Sequence, residues 1–131
     1  MNTIDIIIQK REGSSVKLLV KAPTTEFQLQ KGLMYVKKLI GYDGMIFDFG
    51  ESQFLNMWMK NTFISLDILF FDSSRKLLCI HENTMPYDNT PLGCSKPARY
   101  VLEIGGGRTK ALGITIGDSF YWLSLHSMIN M

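Results

Sequence analysis

Residues 3–9 and 16–21 carry enough β-branched and apolar side chains to read as two strands around the turn Glu12-Gly13-Ser14-Ser15. Thr25 then offers a helix N-cap, and Gln28 three positions later completes a capping-box pattern. Leu29, Leu33, Val36 and Ile40 recur at helical spacing, which predicts one amphipathic helix with its apolar face on a sheet. Gly32 falls inside that pattern, where it either allows close approach to a strand or ends a first helical segment. The stop is Gly41-Tyr42-Asp43-Gly44.

Beyond the stop the pattern is mostly that of strands. Met45, Phe47 and Phe49 alternate with Ile46 and Asp48. Residues 54–59 and 66–71 are apolar on both faces, as expected of strands covered from two sides. Asp72-Ser73-Ser74-Arg75 reads as a hairpin turn into a strand over 76–81. Residues 100–104 and 120–125 supply two more strands, with a helical turn near Thr109–Leu112 closed by Gly113. About eight short strands with a single helix argue against a doubly wound parallel sheet, which needs a crossover helix between most strand pairs. The expectation is a mainly β, single-domain fold over residues 1–131: an antiparallel jelly-roll-like sandwich or barrel with one amphipathic helix. Pro23, Pro86, Pro91 and Pro97 all fall outside the proposed strands. Residues 82–98 hold three of these prolines and no periodicity, so they form either a stiff crossover or a functional loop.

Composition changes this picture little. At 131 residues the chain fits one domain, and 46% apolar with 20% charged residues describes an ordinary globule. A net charge of +2, with basic residues scattered in ones and twos, gives no phosphate-tracking stripe, so no nucleic-acid partner is expected. No stretch approaches the roughly 18 apolar residues of a membrane span. Asp5 interrupts the apolar start, so as the chain stands it carries no signal peptide and is expected in the cytoplasm, or exported if a leader has been removed. Cys79 and Cys94 make neither a disulfide framework nor a zinc spacing. The expectation is a reduced pair, with a Cys79–Cys94 bridge as the alternative.

The chemistry concentrates in Met57–Asp67. Large apolar residues break abruptly into Lys60, Asn61 and Thr62, and Asp67 follows inside another apolar run. Trp58 and Tyr100, with Asn61 and Thr62, are the equipment of a pocket for a small polar ligand. Against this, Asn61 and Thr62 would serve equally well to cap a strand corner. Asp67 and Glu103 each lie within an apolar strand, where a carboxylate must be paired, hydrogen-bonded or protonated. They would form an acid–base pair if they faced one cavity. The simpler expectation is that one binds backbone N–H groups of a loop and the other pairs with Lys60 or Arg99. Cys79 and His81 share a strand face, and Cys94, Met57 and Met59 are soft donors, but nothing fixes a third metal ligand. No metal site and no cofactor is expected. Gly105-Gly106-Gly107 lacks the spacing of a nucleotide fingerprint and reads as a glycine turn, and Ser95 has no base beside it; His81 and His126 are the only histidines.

Six motifs occur in order: Gly32-Leu33-Met34, Gly44-Met45-Ile46-Phe47, Trp58-Met59-Lys60-Asn61-Thr62, Leu66-Asp67-Ile68-Leu69-Phe70, Arg99-Tyr100-Val101-Leu102-Glu103 and Gly117-Asp118. The series, from about Val16 to Trp122, resembles the domain of unknown function 192 family of bacteria and archaea. The resemblance implies a jelly-roll-like sandwich with a helix after the first strands, and it brings no activity or catalytic residue. Many members look exported. Val36 stands where the family commonly has arginine, which weakens any anion site near the helix, and Ser65 where proline is usual.

The functional expectation is a non-catalytic module that binds a small polar ligand or a partner. Its site would be Trp58, Lys60, Asn61, Thr62, Asp67, Tyr100 and Glu103, covered by the 82–98 loop. One alternative is a hydrolase-like or transferase-like enzyme using Asp67 and Glu103. The other is a purely structural or interaction module.

Overall fold

The computed structural model describes residues 1–123. Strands β1 (Thr3–Gln9) and β2 (Ser15–Lys21) form the predicted hairpin, with Ile6, Ile8, Leu18 and Val20 buried on one face. Gly13 turns the chain between them at φ +109°. Helix α1 (Glu26–Lys31) starts on the expected capping box: the Gln28 N–H donates to Thr25 Oγ1, and the Gln28 side chain accepts from the Thr25 N–H.

The helix is shorter than its apolar spacing predicts. It closes at Gly32, whose φ of +53° leaves the helical region, and whose N–H still donates to the Gln28 carbonyl. Leu33, Val36 and Leu39 reach the core from successive turns instead, and Ile40 is exposed.

Strands β3 (Gly44–Gln53), β5 (Leu66–Phe71), β6 (Leu77–His81), β8 (Ala98–Gly105) and β9 (Ser119–Leu123) complete a seven-stranded sheet in the order β6-β5-β8-β3-β2-β1-β9. Asp72–Arg75 is the predicted turn: Asp72 Oδ1 accepts from the Ser74 and Lys76 N–H groups. Of the last predicted strand, residues 124 and 125 lie outside the described residues. All pairs are antiparallel except β2–β3, joined in parallel by the crossover that carries α1. A wholly antiparallel sheet was expected; the helix between the two strands returns the chain to the end it came from and gives the parallel pairing. Gly44 begins β3 so close to β8 that a Cβ there would stand 1.9 Å from the Glu103 carbonyl oxygen.

The sheet curls until its two ends touch. Lys76 bridges Ser119, Leu77 N–H donates to the Asp118 carbonyl and Phe120 N–H to the Arg75 carbonyl, but among the described residues no barrel closes. The fold is mainly β and sandwich-like. Its inner core is Ile6, Ile8, Leu18, Val20, Ile46, Leu69, Phe71, Tyr100, Leu102, Ile104 and Phe120 with their neighbours. An outer core of Met45, Phe47, Ile68, Phe70 and Val101 lies on the other side of the same central strands, beneath Leu33, Leu55 and Met59. Two-sided cover explains why all six residues of β5 are buried.

Residues 54–59 do not form the expected strand. Only Asn56–Met57 (β4) pairs, with Leu92–Gly93 (β7) from within the 82–98 segment. The apolar run arises because this segment crosses the outer face. Leu55 and Met59 point into it, whereas Phe54 and Trp58 are exposed.

The cysteines are joined. Cys79 of β6 and Cys94, just after β7, form a disulfide with Cα atoms 5.8 Å apart, against the expectation of a reduced pair. The cause is topological: the β4–β7 pairing brings the crossover back over the edge strand. His81 Nε2 bonds the Gly93 carbonyl at 2.6 Å in the same place, so neither Cys79 nor His81 is free for the metal role weighed above. With its ends 15 positions apart in the chain, the bond should contribute about 3 kcal/mol. Reduction is therefore expected to lower Tm by roughly 10 °C in a thermal melt with and without dithiothreitol. An unchanged Tm would show that the crossover is held without it.

Candidate functional site

Register decides the positions of the two carboxylates. In the β5–β8 pair Asp67 lies opposite Ile104, and Glu103 opposite Ile68. Directly opposed residues share a face, and successive residues alternate. Asp67 therefore points to the inner face and Glu103 to the outer one. An enzyme using both in one cleft is excluded by this geometry.

Asp67 is fully buried and fully engaged. Its Oδ1 accepts from the N–H groups of Asn83 (2.8 Å) and Gly107 (3.1 Å), and its Oδ2 accepts from that of Thr109 (2.9 Å). The glycine turn after β8 thus delivers N–H groups to a carboxylate of the protein itself, ahead of the short helix α2 (Arg108–Ala111). This is the structural role anticipated for one of the two acids.

The Asn61–Thr62 corner also satisfies itself. Asn61 takes the left-handed conformation (φ +53°), and its carbonyl accepts from Tyr35 N–H. Thr62 is buried; its Oγ1 donates to the Lys60 carbonyl and its own carbonyl accepts from Tyr87 N–H. Lys60 is exposed, with its ammonium 4.9 Å from the centre of the Trp58 ring. Tyr100 departs from expectation. It lies on the inner face, packed edge-on against Phe120 and Trp122, and cannot stack with Trp58.

Glu103 departs further. It was expected to pair with Lys60 or Arg99, but Arg99 holds Asp48 at 2.9 Å on the exposed side of the sheet. On the outer face Glu103 stands between Met45 of β3 and Ile68 of β5, both apolar. Among the described residues nothing donates a hydrogen bond to its carboxyl, which is only 4% exposed. Burial alone pushes that carboxyl up to about 8.

Above it opens a cavity of about 130 Å³. Leu29, Gly32, Leu33 and Met34 form one wall, and Phe49, Met57 and Trp58 the other, with Thr62 and Glu103 toward the sheet. Gly32 keeps the space open: a Cβ there would meet the Phe47 ring at 3.3 Å and Glu103 Oε1 at 3.8 Å. Outside, the cavity shares Gln30, Lys31, Met34 and Trp58 with a broader groove that also includes Phe27 and Tyr35. The cavity thus gathers Trp58, Thr62 and Glu103 of the expected site, while Asp67 and Tyr100 are on the other side of the sheet. The walls Gly32, Met34 and Met57 were missed as site residues. Gly32 in an apolar helical pattern was the one available signal.

The sequence profile of the DUF192 family, described as an uncharacterised ACR, matches residues 7–122. The chain belongs to the DUF192 family. Two solved structures are similar to this family member. One, from Sinorhizobium meliloti 1021, is described as a candidate transcription regulator; it is 35% identical, with a TM-score of 0.88 over 92% of this chain and 94% of that one. The other, a protein of unknown function from Novosphingobium aromaticivorans DSM 12444, is 34% identical, with a TM-score of 0.81 over 92% and 85%. No curated protein matches the chain. Among the described residues no helix is long and apolar enough to cross a membrane.

Proposed function

We propose that this DUF192 domain is a non-catalytic binding module whose site is the outer-face cavity floored by Glu103. Glu103 hydrogen-bonds the ligand, Trp58 packs on it at the mouth, and Met57, Leu33 and Phe49 exclude water around it. Thr62 and Asn61 hold the corner that presents Trp58, and Lys60 steadies the ring. The observation that supports this reading is the Glu103 carboxyl, buried without a partner among the described residues beneath an open cavity. Burying a polar group in that way costs several kcal/mol unless something supplies its hydrogen bond. A ligand would supply it.

A thermal-shift screen against sugars, nucleotides, amino acids, amines and divalent metals tests the proposal, with Glu103→Gln and Trp58→Ala as controls. The expected result is a rise in Tm for one ligand class that Trp58→Ala abolishes. A class that raises Tm equally in both variants binds elsewhere and contradicts the assignment. The Cys79–Cys94 disulfide supports an oxidising compartment for the module, in line with the exported alternative.

A further inference from the structure

The polar equipment of the cavity is lopsided. Its buried ionisable group is a carboxyl, and its inner walls are the aliphatic, thioether and aromatic side chains of Leu29, Leu33, Met34, Phe49 and Met57, whereas the polar Gln30, Lys31 and Asn56 that also line it are exposed and stand at its rim. Thr62 adds little donor capacity, because its hydroxyl proton is already committed to the Lys60 carbonyl. At the buried end a ligand bringing only acceptors would therefore compete for a single proton, the donors of Gln30, Lys31 and Asn56 being at the exposed rim. A ligand bringing several donors would meet an unsatisfied acceptor pair.

The mouth of the cavity fixes where a cation would be held. The Trp58 ring at the mouth, 45% exposed, already draws an ammonium group, that of Lys60 at 4.9 Å from its centre. Lys60 already holds that face and repels a second cation there, so a ligand cation gains its stabilisation beyond the mouth, at Glu103.

We infer that the cavity takes a primary ammonium group carried on a slender apolar stem, with Glu103 as its counter-ion. The inference rests on the cavity being the ligand site and specifies the ligand's chemistry. The ammonium has three donors for a carboxylate with no other partner among the described residues, and the stem lies along the apolar walls. The narrow volume admits one alkyl chain, and the groove beyond Trp58 receives whatever the chain is attached to. Binding takes up the cation and releases the Glu103 proton to solvent. Of the elements packed around Glu103, β3 contributes Met45 and β5 Ile68, neither ionisable. Lys31, at the end of α1 and exposed, is the other ionisable residue lining the cavity, and Lys60 lies over Trp58 at its edge.

The test is an NMR titration with n-butylammonium and, as its neutral isostere, n-butanol. The probes are the Trp58 indole and Gly32 amide signals of the full chain and of Glu103→Gln. The amine should bind and its affinity should rise roughly 100-fold between pH 6 and pH 9, because the carboxyl must first lose its proton while the amine stays charged. Glu103→Gln should lose at least about tenfold in amine affinity, since the charged partner of a charge-assisted bond is gone. Butanol should show neither dependence. N-acetyl-lysine-N-methylamide carries the same stem on a peptide unit, and the tighter of the two amines identifies the source as free amine or lysine side chain. Butanol binding as tightly as the amine, or amine affinity indifferent to pH and to Glu103→Gln, overturns the inference and leaves the ligand site standing. No movement of the Trp58 and Gly32 signals with any of these, or with the best class from the screen, overturns both.

Discussion

Replacing Asp67 with alanine is expected to destabilise the fold by about 4 kcal/mol and to lower Tm by roughly 15 °C. The substitution leaves three N–H groups without their acceptor: those of Asn83, Gly107 and Thr109. Each buried donor so orphaned costs about 1–3 kcal/mol, and the Thr109 N–H is the deepest of the three. Water reaches the Asn83 and Gly107 groups more easily, which keeps the sum below the maximum. Asp67→Asn should fall between wild type and alanine. It retains one acceptor oxygen but presents its NH₂ to a backbone donor on the other side. Urea denaturation monitored by tryptophan fluorescence gives the three values. A loss below about 1 kcal/mol for alanine would mean that the carboxylate is not what joins β5 to the start of the crossover and to α2.

The second large effect has the opposite sign. Glu103→Gln is expected to stabilise the protein at alkaline pH and to change little in acid. In the folded state burial raises the carboxyl from 4.5 to about 8. Between those values the native state keeps a proton that the unfolded chain releases. The contribution of this group is fully present below about pH 4.5, declines as pH rises, and levels off above about pH 8. The total loss is on the order of 5 kcal/mol for a shift of that size. Glutamine does not titrate, so the variant escapes the decline. Urea midpoints at pH 5, 7 and 9 should show the two proteins diverging steadily. Parallel curves would place a hidden partner on Glu103. A domain that is more stable without a side chain than with it has retained that side chain at a thermodynamic disadvantage, a pattern associated with binding sites.

Much of the fold is legible in the residue pattern because it depends on near neighbours. The β1–β2 hairpin, the Thr25–Gln28 capping box, the Asp72–Arg75 turn and the run of β5, apolar on both faces but for Asp67, each announce themselves within a few residues. What failed depends on distant ones. Leu29, Leu33 and Val36 face the core as helical spacing demands, but only Leu29 does so from the helix, since Gly32 had already ended it at a positive φ. Residues 54–59 look like a strand because both sides are apolar, yet they lie across a sheet without joining it. The disulfide follows from two-residue strands too short to leave a periodic signature.

The candidate site divides along the same line. Two carboxylates in apolar strands were visible, and so was the expectation that one would hold backbone N–H groups. Which face each occupied required the register of β5 against β8. Glu103's lack of a partner required knowing that Met45 and Ile68 flank it and that Arg99 had gone to Asp48. None of those contacts is local. The Trp-Met-Lys-Asn-Thr run therefore drew the eye to a corner that largely satisfies itself, while the unsatisfied group lay more than forty positions later on another strand.

The titration of the Glu103 carboxyl itself, followed by carbon-13 NMR in protein labelled at the glutamate side chains, tests this account most directly. Glu103→Gln assigns the resonance. The account predicts a midpoint near 8 in the free protein, and a lower midpoint when n-butylammonium fills the cavity. A midpoint at the ordinary 4.5, unmoved by the amine, would contradict it.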